Sequence, residues 1–141
     1  MTPRRFVTIA VAAVAVIVLA PPTLLIGLQL TGPFLPTGAT RLHIATEAPN
    51  LTLGCADALL APVRVATAGD ELTLVSVGSG EPQRVVWPSG FGAWRSGGRA
   101  VVADQWGRVV GREGDVLDGL GGGTGADDVF HICPFGIPTR P

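Results

Sequence analysis

The chain has 141 residues, 47% of them apolar, with twenty glycines, twelve prolines, two cysteines and no lysine. That length allows one domain with appendages, and from Pro33 onward eight arginines face eleven acids, a balance of −3. The basic footprint of a nucleic-acid binder is therefore excluded, as is a phosphate loop, which needs a lysine.

Much of the apolar excess sits at the start. Arg4 and Arg5 precede Phe6–Leu30, a run without a charged residue. As a helix its 25 residues would extend about 37 Å, enough to cross a hydrocarbon layer of about 30 Å with some tilt. Residues 1–30 are thus expected to form a transmembrane anchor or uncleaved signal, kinked at Pro21-Pro22. A cleaved signal peptide with Phe6–Ala20 as its apolar core is the rival reading. In either case the arginines hold the N-terminus in the cytoplasm and send the rest across. The expected location is the cell membrane, single-pass, with the lipid bilayer contacted through residues 6–30 and the C-terminal domain extracytoplasmic. Residues 31–40, rich in Pro, Gly and Thr, read as a linker.

The exported domain is expected over residues 41–134. Arg41–Thr46 alternates as a first strand, Glu47–Asn50 is a turn, and Leu51–Leu53 resumes strand character. Ala56–Ala61 admits one and a half helical turns, because short apolar runs are ambiguous. Val63–Thr67 and Glu71–Val77 form a hairpin about Ala68-Gly69-Asp70, and Gln83–Trp87 is a further strand stopped by Pro88. Trp87, Pro88, Gly90 and Phe91 suggest a structural turn at a core corner. Arg99–Ala103 and Arg108–Arg112 flank the turn Asp104-Gln105-Trp106-Gly107. Recurring glycines at 107, 111, 114 and 119 leave no room for an ordinary helix. Gly121, Gly122 and Gly123 open a flexible loop to Asp128 and are expected in a turn with positive φ. Val129–Cys133 is the last strand, and 135–141 an irregular tail. Seven or eight short strands with turns every eight to twelve residues indicate an all-β fold, a small closed or partly open antiparallel barrel.

A domain of roughly 100 residues buries only about two-thirds of its unfolded surface, so a covalent staple would help it. Cys55 and Cys133 are the only thiols, and an even count on the oxidising side predicts a disulfide. Zinc is the competing use, with His43 and His131 completing a Cys₂His₂ set, but no paired C-x-x-C or H-x-x-x-H element exists to place ligands on one tight turn. No G-x-S-x-G surrounds any serine. Asp127-Asp128 and Asp115 with Asp118 lack the spacing of a calcium loop. No catalytic, cofactor or metal residue is therefore assigned. Trp94 and Trp106, if exposed together, would make a stacking surface for an envelope protein or glycan. The leading expectation is a non-catalytic, membrane-anchored envelope module for binding or bracing. The alternative is an extracytoplasmic enzyme or zinc protein using His131 with Ser79 or Asp127.

The order of Cys55, Trp87-Pro88-Ser89-Gly90-Phe91, GRVVGREGD at 107–115, Gly121–Gly123 and Cys133 resembles a family of short bacterial exported proteins. Their pattern is an early Cys, W-P-x-G-[FY], G-x-V-V-x-R-x-G-D, G-G-G and a late Cys. The resemblance covers residues 55–133 and implies a membrane or lipid anchor followed by a small OB-like β-barrel, with no activity attached. One departure is that no lipobox cysteine lies near the N-terminus, so lipid anchoring is not implied.

Overall fold

The computed structural model describes residues 32–49, 55 and 57–137. All regular structure among them is β. The strands in chain order are β1 (Thr40–Leu42), β2 (Ala58–Leu59), β3 (Val63–Ala68), β4 (Glu71–Ser76), β5 (Pro82–Gln83) and β6 (Val85–Val86). They continue with β7 (Gly92–Ser96), β8 (Arg99–Ala103), β9 (Val109–Arg112), β10 (Val116–Leu117), β11 (Gly121–Thr124) and β12 (Phe130–Ile132).

They do not close into the expected barrel. Three four-stranded sheets form instead, ordered β1-β7-β8-β9, β10-β3-β4-β5 and β2-β11-β12-β6. Strand pairing is antiparallel except between β12 and β6, and two isolated bridges, His43–Glu71 and Thr46–Trp87, are also parallel. The cause lies in corners where the chain leaves one sheet for another. The segment Gln83–Trp87, expected as one strand, divides at Arg84: Gln83 pairs with Leu74 of β4, while Val85 pairs with Phe130 of β12. A second corner follows β9, where Gly114 takes a φ of +91° that side-chain-bearing residues avoid. Gly114 N–H then bonds the Val65 carbonyl, and β10 pairs with β3.

Packing follows the alternation of the sequence. Val63 and Val65 of β3 and Leu72 and Leu74 of β4 point inward, while Arg64 is exposed. Each such side chain contributes about 1.5–3 kcal/mol on burial. Leu117 of β10 joins them from the same sheet, and Val102 and Ile132 bring the other two sheets into the same core. Trp87 and Phe91 stack across Pro88 with ring centroids 6.0 Å apart, and Gly90 turns the chain between them with a φ of +85°.

Other local expectations change. The Ala56–Ala61 region holds no helical turn among its described residues but strand β2, because Ala58 pairs with Gly122. The glycines Gly121, Gly122 and Gly123 are not a turn but strand β11, with none in the positive-φ region that Gly119 enters at +73°. They are small because neighbours come close. A Cβ on Gly122 would collide with the Phe130 ring at 2.6 Å, and one on Gly121 would meet the Gly136 backbone at 3.0 Å. The described part of the segment 31–40 lies on the domain. Pro33 is buried on Gly92, and Ala39 packs on Trp94, Val101 and Ala103. No helix among the described residues is long and apolar enough to cross a membrane. The anchor expected at 1–30, the strand expected at Leu51–Leu53 and the end of the tail lie outside the described residues.

Candidate functional site

Three places gather the chemistry-bearing residues. The first is the staple. Cys55 and Cys133 are disulfide-bonded with Cα atoms 5.7 Å apart. Cys133 leaves β12 and is locked by backbone bonds: its N–H donates to the Gly121 carbonyl, and Gly136 N–H returns to the Cys133 carbonyl. With both sulfurs joined, no thiolate remains to ligate zinc. Of the other residues considered for that metal, His43 holds its place beside β4 through backbone bonds to Asp70 and Leu72. Among the described residues no cluster of three His, Cys, Asp or Glu is arranged around a common point.

The second place is His131. It sits in β12, paired in parallel with Val86. Its Nδ1 lies 3.1 Å from Glu47 Oε1 and its Nε2 lies 3.7 Å from Asp127 Oδ1. Gly125 makes room for the pair, since a Cβ there would fall 2.6 Å from Asp127 Oδ1 and 2.9 Å from His131 Nε2. Burial works against the Asp127 carboxylate. It is outweighed by hydrogen bonds from the Val129 and Asp127 N–H groups and by His131, so the carboxyl is held below its ordinary range. The two acids flank opposite ring nitrogens and so share no ligand point. A protonated imidazole donates toward both, a neutral one toward a single side. The arrangement therefore clips the segment after β1 to β12. A groove of about 510 Å³ runs beside it, lined by Leu72, Thr73, Gln83, Arg84, Val85, Trp87 and Asp127. Ser79, the serine considered with His131, serves its own turn: its hydroxyl accepts the Glu81 N–H.

The third place is the β8–β9 hairpin. Asp104 is only 7% exposed, yet its carboxylate is fully used. Oδ1 accepts the N–H groups of Trp106 and Arg108, and Oδ2 accepts Arg108 Nε at 2.7 Å. Asp104 C=O accepts Gly107 N–H, which closes the turn. The result presents Trp106 at the tip, 54% exposed. Trp94 does not join it. At 6% exposure it lies under the linker, so the shared Trp94–Trp106 surface is not formed. The reason is alternation: Gly92, Trp94 and Ser96 face outward on β7, and that outward face is where Pro33 and Ala39 pack.

Glu113 is a residue that sequence reasoning passed over. Its carboxylate, just past the end of β9, accepts the Ala100 N–H of β8 and the Thr67 hydroxyl of β3, each at 3.0 Å, tying the first sheet to the second. The Ala100 bond chiefly, then the Thr67 bond, outweigh burial and with Arg95 and Arg99 hold this carboxyl below its ordinary value of 4.5. The Asp104 turn had a signal in Asp-x-x-Gly, which favours type I turns. The Glu47–His131 contact, 84 positions apart, had none. No family model, curated protein or solved structure matches the chain.

Proposed function

We propose that the chain is a non-catalytic, membrane-tethered module of the cell envelope whose stapled β domain faces the extracytoplasmic side and binds or braces another envelope component. The Cys55–Cys133 disulfide carries the reading, because such bonds persist in oxidising compartments and are rare in the cytosol. The charge-free run from Phe6 to Leu30 behind Arg4-Arg5 supports the tether and its orientation, and the motif order from Cys55 to Cys133 agrees with it. The groove beside His131 and the hairpin tip supply surfaces without a nucleophile set between them.

The test is to tag the C-terminus, treat intact spheroplasts with protease, and alkylate thiols before and after reduction. Loss of the tag with both thiols blocked supports the reading. A protected tag with two alkylatable thiols overturns it. The second reading, an enzyme or zinc protein built on His131 with Asp127 or Ser79, is favoured by the 3.7 Å approach of His131 Nε2 to Asp127. It predicts stoichiometric zinc, or a hydrolytic activity abolished by His131→Ala.

A further inference from the structure

The first described residues do not trail away from the domain. Pro33 is pressed onto Gly92, whose Cβ, were there one, would lie 2.9 Å from the proline ring, and Gly32 sits beside the Gly90 and Phe91 carbonyls. Gly92 pairs with Ala103, the residue that enters the Asp104 turn. Neighbouring strands are about 4.8 Å apart and Trp106 is three residues further on, so the tip lies within roughly 15 Å of Gly92 and roughly 20 Å of the Pro33 that packs on it. The point where the apolar N-terminal run joins the domain and the hairpin tip therefore share one end of the first sheet.

That end is apolar and open. Phe34 is 98% exposed, and Leu35, Trp106 and Val109 are exposed beside it or at the tip. From Leu30 to Gly32 the chain can extend at most about 7 Å, similar to the polar layer of about 5–8 Å on each side of a hydrocarbon core. A domain joined so closely cannot hold this end far from lipid.

The geometry points to a second membrane contact: Trp106, with Phe34, seats in the outer headgroup layer of the bilayer and sets the domain in a fixed orientation on it. The inference rests on the reading of residues 6–30 as a membrane span. Trp fits this layer because its ring is apolar while its N–H stays in reach of water and phosphate. The tip suits a region of low dielectric. The N–H groups of Trp106, Gly107 and Arg108 are all bonded to Asp104, leaving few open donors to desolvate. The Asp104–Arg108 pair offsets the buried carboxylate through Nε, and the exposed remainder of the Arg108 guanidinium faces the side where phosphates would lie.

The test uses the full chain in phosphatidylcholine vesicles carrying a nitroxide at acyl position 5, with flotation in alkaline carbonate as a separate report on the anchor. Trp87 and Trp94 are buried, so lipid quenching of tryptophan emission reads Trp106. The expected result is quenching by the labelled lipid and little by aqueous iodide, with the lipid effect lost in Trp106→Phe, which keeps an aromatic at the tip. Flotation with free iodide quenching and no lipid quenching overturns the contact and leaves the anchor standing. Flotation with Trp106 shielded from both quenchers also overturns it, in favour of a protein or glycan partner. A chain that fails to float overturns both readings.

Discussion

Removing the Cys55–Cys133 bridge tests how this domain remains folded. The closed loop spans a sequence separation of 78, and loop-closure entropy for that length gives about 4.5 kcal/mol at 25 °C. A domain near 100 residues is stable by only about 5–15 kcal/mol in total, so the bridge is comparable with its whole margin. Replacing both cysteines by serine in the detergent-solubilised chain should lower the thermal midpoint by on the order of 20 °C. Because the effect acts on the unfolded chain, the urea m-value should rise as the reduced denatured state expands, while the native far-ultraviolet spectrum stays unchanged below the transition. Equilibrium urea titrations of the bridged and serine forms, followed by tryptophan emission, measure both quantities. Equal midpoints and equal m-values would refute the reasoning and leave the core alone as the source of stability.

Two further outcomes are expected. Gly122→Ala should destabilise the domain by about 3 kcal/mol or more, as overpacking against the Phe130 ring and the His131 backbone has nowhere to go; Gly78→Ala, with open space around it, should be near neutral in the same melt. Glu113 is lowered in the fold, so its contribution is complete above its ordinary value of 4.5 and fades as pH falls through the folded value. Glu113→Gln should therefore cost about 1 kcal/mol at neutral pH, and urea midpoints of variant and parent should converge as the pH falls below 4.5; a difference that stays constant as the pH falls would contradict the assignment.

Much of the secondary structure was legible because it is local. The strand β8 coincides with the expected Arg99–Ala103, and the β3–β4 hairpin turns at Gly69 as its composition indicates. Alternation placed Leu72 and Leu74 on one face, and both are buried. The pairing of two thiols needed only their even number and the expectation of an oxidising compartment. The glycine run 121–123 misled because small residues serve two ends, freedom of φ and closeness of approach. Only the neighbours, Phe130 and Gly136, tell which one applies.

Composition and short-range pattern thus determined that the described domain is all-β, where most of its strands lie, and which cysteines join, since period-two alternation and turn chemistry act within a few residues. Tertiary structure alone decided that the strands form three sheets instead of one barrel, that Trp94 is covered while Trp106 is bare, and that Glu47 meets His131. Those outcomes depend on where the chain changes sheet and which segments cross a face. Such contacts are set by the summed packing of distant residues, which no local window of sequence contains.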